Sequence, residues 1–327
     1  MNSDTIKTNV NPLPEYSSCS TCGINNEPML DGNMQREGDR NEPILRPGNT
    51  NCGGCGMSVI LNWLSLAAGS ETRLQMVIPA CCGIVTPGKF PNSAYGLPVV
   101  ASTFASAAAV GTGLAHTAEL NNDNTRVICF AGDGGTYDIG MATLSAAAER
   151  NEDLLYICYD NEIYGNTGGQ RSSATPLGAV TTTTQFGKDV NKKDIVAIMS
   201  AHRIPYTASL SIAHPNDSLA KLKKALAMKG FRFLHVLSPC PTGWKSEPSE
   251  GIELVRKSVK SGLFPIIEIE NDEVGETLTI NIEPEMCEES LRTYFESQGR
   301  FKRGVDIPEI TRGIERNWKS LRLRAGK

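Results

Sequence analysis

AGDGGTYDIG, residues 131–140, joins an apolar run, RVICFAG (126–132), to a small-residue helical pattern, DIGMATLSAAAERN (138–151). The run predicts a strand and the pattern a helix, so Gly132, Gly134 and Gly135 let the backbone turn sharply while Asp133 projects at the strand end. A carboxylate placed there suits a cation. Asn161, in YDNEIYGN, stands 28 residues further on and just past a second predicted strand, DLLYICYD (153–160). Neighbouring strand ends would bring the two oxygen-bearing side chains together. A hard cation such as Mg²⁺ takes near-octahedral oxygen ligands, commonly a few protein oxygens with ligand phosphates, and Asp133, Asn161 and a backbone carbonyl fit that description. A lone GDG reads more simply as a tight turn with Asp133 capping the helix. The spacing, the Asn partner and the two strand ends favour the ligand.

The alternation extends to both sides. Upstream, NCGGCG (51–56) precedes a helical pattern, MSVILNWLSLAAG, and a short strand, LQMVIPACCG, that ends in a cysteine pair; VVASTFASAAAVGTGLAHTAEL (99–120) reads as a helix of small residues packed close to other backbone. Downstream of a long polar loop come helix KKDIVAIMSAH, strand IPYTASL, helix DSLAKLKKALAMKG and strand FRFLHVLS, which runs into PCPTGW (239–244). Strands alternating with helices predict an α/β fold, a parallel sheet with helices on both faces, because each parallel crossover needs a connecting helix. Ligands in such folds sit beyond the carboxyl ends of the strands, where Cys82, Gly132 to Gly134, Asp160 to Asn166 and Cys240 fall.

Three regions follow: an irregular N-terminal extension over 1–48, the main ligand-binding domain over 49–245, and a C-terminal appendage over 246–327, expected to make subunit contacts. The appendage reads as a helix, an apolar strand FPIIEIEN, an acidic connection and two charged helical stretches. The 32 basic and 36 acidic residues form no long basic stripe, which argues against a nucleic-acid partner and for a small-molecule substrate. No stretch reaches the roughly 18–20 apolar residues of a bilayer span, and the polar start lacks a secretory core, so the expected location is cytoplasmic. In a reducing compartment the ten cysteines read as metal ligands, catalytic thiols or core residues.

The long loop, NEIYGNTGGQRSSATPLGA (161–179), combines small residues that let amides approach a ligand with the directional groups of Asn166 and Thr167. GDG followed after this interval by Asn matches a thiamine diphosphate signature, and NTGGQ with its Ser-rich, Thr-Pro continuation is similar to the text of pyruvate:ferredoxin oxidoreductases. From NCGGCG to PCPTGW, and again in SLRTYFESQGRF (290–301), the chain resembles the thiamine-diphosphate-binding β subunit of the 2-oxoacid:ferredoxin oxidoreductases.

That resemblance implies a thiamine-diphosphate-binding fold and CoA-dependent oxidative decarboxylation of a 2-oxoacid, pyruvate or a relative, to an acyl-CoA and CO₂. It implies cofactor contacts at Gly132, Asp133, Gly134, Asn161, Ile163, Asn166 and Thr167, with Mg²⁺ on Asp133, Asn161 and the Ile163 carbonyl, and Asn166 near the reacting centre. It implies one [4Fe-4S] cluster on Cys52, Cys55, Cys82 and Cys240 that passes electrons to ferredoxin or another acceptor. Relatives read P-A-G-C where this chain reads IPACC, which places Cys82 at the ligand position and Cys81 at the glycine. Four thiolates also suit structural zinc, so a zinc-stabilised, non-catalytic subunit stays open as an alternative. Cys129 and Cys158 lie in apolar strands and read as core; Cys19, Cys22 and Cys287 have no assigned role. The family takes the carboxylate that activates the aminopyrimidine from another subunit, so partners of α, γ and ferredoxin-like δ type are expected. Ala105, where relatives often carry an acidic residue, leaves the acid open to an aryl glyoxylate, a branched 2-oxoacid or oxalate.

Overall fold

Leu155–Asp160, Tyr206–Ser211 and Arg232–Leu237 are buried along their whole length, which identifies them as central strands covered on both faces. The computed structural model describes residues 43–69, 72–89 and 92–327. Cys19, Cys22 and most of the expected N-terminal extension lie outside the described residues.

The strands are β1 (Leu74–Pro79), β2 (Val99–Ser102), β3 (Arg126–Gly132), β4 (Leu155–Asp160), β5 (Tyr206–Ser211), β6 (Arg232–Leu237), β7 (Ile266–Asn271) and β8 (Glu276–Ile282). They form one sheet in the order β2-β1-β3-β4-β6-β5-β7-β8. The first six are mutually parallel, whereas β7 runs antiparallel to β5 and β8 antiparallel to β7.

Alternate strand residues face two cores. Met76, Ile128, Ile157 and Leu234 meet helices α1 (Gly56–Ala68), α6 (Pro215–Ala227) and α8 (Gly251–Lys260) on one side. Val77, Cys129, Tyr156 and Phe233 meet α3 (Ala107–Leu120), α4 (Met141–Glu149) and α5 (Ile195–Ser200) on the other. Small residues let α3 lie against the sheet: a methyl on Gly111 would press into the Cys129 sulfur and the Leu154 side chain. Cys129 and Cys158 are buried core residues, as expected from their strands.

Two strands differ from expectation. The stretch read as one helix over 99–120 begins with β2, an edge strand whose small, half-exposed residues lack an apolar alternation. The acidic connection contains β8, where Leu278 and Ile280 alternate with exposed polar residues and pack inward. The sheet is therefore mixed, and the segment expected as an appendage supplies its last two strands.

The antiparallel seam is fastened at Glu268 on β7, which accepts from Tyr206 Oη of β5 at 2.7 Å, Lys224 Nζ of α6 at 3.0 Å and Asn281 Nδ2 of β8 at 3.0 Å. Burial pushes this carboxyl up, but those three donors outweigh it and hold it below the ordinary 4.5. A carboxyl depressed in the folded state contributes stability above its unfolded value, and that contribution is lost as pH falls through the folded value. Glu268→Gln should cost about 1–2 kcal/mol at neutral pH, with the difference from the unmodified chain closing below 4.5. Urea midpoints measured from neutral pH down to about 3 check this.

Candidate cofactor and thiol site

Four strands that are adjacent in the sheet, β1, β3, β4 and β6, end side by side and are followed by Cys82, Asp133, Asn161 and Cys240 respectively. The chain order reverses between β1 and β3, the position at which open α/β sheets leave a crevice for a ligand.

Asp133 opens a π-helical turn, Gly134–Asp138, and makes no side-chain capping bond to it. Its carboxylate instead accepts from Ser172 Oγ of the long loop. Gly134 is required by space, since a methyl there would collide with the Tyr164 ring; Gly132 likewise lies against Tyr159. Neither glycine has a positive φ, so the sharp turn expected of them is a close approach of aromatic rings.

Asn161 and Ile163 meet Asp133. The side-chain oxygen of Asn161, as the amide is placed, stands 2.9 Å from Asp133 Oδ1 and 2.8 Å from the Ile163 carbonyl oxygen. These are three acceptors with no proton between them; turned over, the amide nitrogen donates to both. Neighbouring ligands on an octahedral Mg²⁺, each 2.0–2.1 Å from the metal, lie about 2.9 Å apart. The oxygens of Asp133, Asn161 and Ile163 therefore fit a Mg²⁺ ion in chemistry, and the two separations that Asn161 makes match the spacing of neighbouring ligands. Burial, and then the neighbouring Asp160 carboxylate, push the Asp133 carboxyl well above the usual range, so an incoming cation would relieve its charge.

Asp160, the residue before Asn161, was placed by the sequence at the ligand end of the sheet but given no role there. It is fully buried, accepts from Tyr137 Oη at 2.8 Å, and lies 2.8 Å from His235 Nε2. Burial raises its carboxyl, but His235, Lys192 and Tyr137 together hold it below the usual range. Its other oxygen receives the Glu162 backbone N–H at 3.0 Å. The pattern that could have revealed its role is a charged residue ending an otherwise apolar strand, with His235 on the paired strand β6 two residues before Leu237, the register partner of Asp160. A cavity of about 490 Å³ adjoins this network through Tyr137, Lys192 and His235, and none of the expected ligands lines it.

The long loop is tied down by carboxylates of the GDGGTYD segment. Ser172 binds Asp133; Tyr164 Oη donates to Asp138 Oδ2 at 2.8 Å, and the Ser173 N–H donates to the same oxygen at 3.1 Å. Asn166 is exposed beside the thiols. Thr167 is not brought to the site: its exposed hydroxyl donates to Gln170 Oε1 at 2.5 Å.

Cys52, Cys55, Cys82 and Cys240 line one cavity of about 80 Å³, together with Tyr159, Asn161 and Asn166. Cys81 does not line it; its thiol pairs with the Tyr159 hydroxyl. Gly54 adopts φ +76° and its backbone lies against Pro248, and the Gly56 N–H donates to the Pro239 carbonyl at 3.1 Å, so the CGGC turn is docked on the end of β6. Burial, then the thiols of Cys240, Cys81, Cys55 and Cys52, push Cys82 up to about 12. Burial likewise raises Cys55, to about 11, and raises Cys240. Such a set gains by meeting a cation that takes the thiolate charge, and its all-sulfur chemistry fits an iron-sulfur group. Cation and thiol poles adjoin: a methyl on Gly243 would stand 2.7 Å from Ile163 Cγ2 and 3.2 Å from Cys240 Sγ.

Residues 75–236 match the thiamine pyrophosphate enzyme C-terminal TPP-binding domain, a span that runs from β1 to β6 and includes Cys82, Asp133 and Asn161. Ketoisovalerate oxidoreductase subunit VorB of Pyrococcus abyssi is 41% identical over 293 residues, covering 84% of this chain and 91% of that one. The chain belongs to the 2-oxoacid:ferredoxin oxidoreductase β subunits. Pyruvate synthase subunit PorB of Methanocaldococcus jannaschii resembles this β subunit at 38% identity over 297 residues, 86% of this chain and 97% of that one. A 2-oxoglutarate:ferredoxin oxidoreductase from Magnetococcus marinus, solved with 2-oxoglutarate, coenzyme A and succinyl-CoA, shares the β subunit's fold. It superimposes with a TM-score of 0.56 at 24% identity over 68% of this chain and 82% of that one. The β subunit thus carries a thiamine pyrophosphate-binding domain of a thiamine-dependent enzyme family. No described helix is long and apolar enough to cross a membrane.

Asp133→Asn removes a buried carboxyl that Asp160 opposes. It should raise the thermal midpoint of the cofactor-free chain by roughly 2–4 °C per kcal/mol relieved, while abolishing stabilisation by thiamine diphosphate with Mg²⁺. Scanning fluorimetry with and without both ligands reads the two effects separately.

Proposed function

We propose that this β subunit works in a hetero-oligomer that converts a 2-oxoacid and coenzyme A to an acyl-CoA and CO₂, with electrons leaving through a [4Fe-4S] cluster to ferredoxin. The carrying observation is the placement of four cysteines around one cavity that Asn161 and Asn166 also line, directly beside the oxygens of Asp133 and Ile163. When bound, thiamine diphosphate supplies the carbanion chemistry of decarboxylation. Asp133, Asn161 and the Ile163 carbonyl hold Mg²⁺ and through it the diphosphate. Cys52, Cys55, Cys82 and Cys240 hold the cluster, and Asn166 stands at the rim between the two. Gly132 and Gly134 keep Tyr159 and Tyr164 close against the turn that carries Asp133.

The relatives' names include both ketoisovalerate and pyruvate enzymes, so a branched 2-oxoacid and pyruvate are the first substrates to assay. Partners of α, γ and ferredoxin-like δ type would complete the complex, with residues 246–327 contributing subunit contacts. The described cysteines are all free, which suits a reducing cytoplasm. Among the described residues no three His, Cys, Asp or Glu side chains converge on one ion. The four thiols ring a cavity with room for several water-sized bodies, which favours a multi-iron group over a single zinc.

Iron and acid-labile sulfide analysis of the purified complex tests this directly. Cys82→Ser and Cys240→Ser should each remove one cluster's worth of iron and sulfide, with the matching part of the absorbance that bleaches on reduction, while the ferredoxin-like subunit keeps its own; Cys81→Ser should leave all of it in place. Loss of zinc rather than of iron and sulfide from the Cys82→Ser and Cys240→Ser complexes would overturn the electron-transfer reading.

A further inference from the structure

Between Asn161 and Ile163 the chain takes a conformation that a side chain disfavours. Glu162 has φ +62°, in the left-handed region that suits glycine. It is also almost wholly buried, at 3% exposure, so its carboxylate must find partners inside the protein. Two cations supply them. Lys192 Nζ lies 3.1 Å from one carboxylate oxygen, and Arg300 Nη2 lies 2.6 Å from the other.

Arg300 comes from the single turn Gly299–Phe301, in the part of the chain read from sequence as an appendage. Its guanidinium stacks over the Trp244 ring with 4.4 Å to the centroid, and its Nε donates to Gln298 Oε1 at 2.8 Å. Trp244 in turn donates from Nε1 to the Asn161 backbone carbonyl at 2.9 Å. Thr175 Oγ1 donates to the Glu162 carbonyl at 2.7 Å, and the Glu162 N–H reaches Asp160 at 3.0 Å. The turn is gripped by main chain and side chain alike. The strongest grip on its side chain is the short, charge-assisted bond from Arg300.

We propose that Arg300 is a positioning residue of the cofactor site: by holding Glu162 together with Lys192, it fixes the left-handed turn that aims the Asn161 side chain and the Ile163 carbonyl at Asp133. The inference rests on the reading of those three oxygens as ligands of a diphosphate-bound divalent cation. The C-terminal segment then acts on the site through Glu162 and Trp244. Lysine would keep the charge but lose the planar stack on Trp244 and the second hydrogen bond, so it substitutes only in part.

Calorimetric titration of the intact complex with thiamine diphosphate and Mg²⁺ tests this. Arg300→Met should weaken binding at least tenfold while iron and sulfide per chain stay unchanged, and Arg300→Lys should recover part of the loss. Arg300→Met leaves the buried Glu162 carboxylate with one of its two cations and could unfold the chain, so Arg300→Met with Glu162→Gln, which removes that carboxylate and leaves Lys192 beside the Asp160 carboxylate, is made alongside. That double variant should regain the thermal midpoint of the cofactor-free complex yet still bind weakly. Unmodified affinity in the folded double variant would overturn the inference, as would loss of iron in step with affinity, which marks a general collapse. Failure of the unmodified complex to bind thiamine diphosphate in a Mg²⁺-dependent way, or full binding by Asp133→Asn, would overturn the ligand reading beneath it.

Discussion

The hydrogen-bond ladder that runs from β1 through β3 and β4 to β6 is the constraint on which the site depends. Parallel pairing sets Gly132 opposite Tyr159, and Asp160 opposite Leu237, so all four strands finish at one level. Side chains just past those ends then meet whatever the intervening sequence does. Cys82 and Cys240 are far apart in the chain yet share a cavity for this reason, and the same ladder keeps Asn161 within 2.9 Å of Asp133. Long crossovers can vary; the line of strand ends cannot.

Burying Asp133, Asp160 and Glu162 in one region would be untenable if all three were treated alike. Each is handled differently. Asp160 has Tyr137 and His235 as direct partners with Lys192 nearby, and Glu162 is bound by Lys192 and Arg300. Asp133 accepts from the uncharged Ser172 hydroxyl and faces Asn161, with no salt bridge among the described residues. Two carboxylates are neutralised by the protein, and the third keeps an attraction that an external cation can satisfy. The thiol pole follows the same logic: burial raises Cys55, Cys82 and Cys240, and the nearby Arg300 charge offsets it only in part at Cys240.

The strongly periodic parts of this arrangement were legible in the sequence. RVICFAG and DLLYICYD form the strands expected of apolar runs bounded by turn residues, and Asp133 and Asn161 follow them as anticipated. Cys82 was separable from Cys81 only through the resemblance; in the fold Cys82 lines the thiol cavity and Cys81 pairs with the Tyr159 hydroxyl. β2 was hidden because Val99–Ser102 runs into a small-residue helix without a break in composition. β8 was hidden for the opposite reason: its alternation is real, but glutamate and threonine on the outer face mask two inward apolar residues. Arg300 and Trp244 were not legible as parts of the site. Both lie in stretches that carry the resemblance, PCPTGW and SLRTYFESQGRF, but their contact with the 161–163 turn is made through space, which neither stretch shows.

The CGGC turn has one further consequence, which concerns the order in which the chain is made. Cys52 and Cys55 leave the ribosome before any strand of the sheet exists, whereas Cys240 follows the last parallel strand. The bond from Gly56 to Pro239 therefore closes a loop that spans nearly the whole sheet, and closing a loop that long has an entropic cost that only the finished sheet can offset. A cluster held by these four thiols, as proposed, would therefore load only after the last parallel strand is made, and until then Cys52 and Cys55 would travel unguarded.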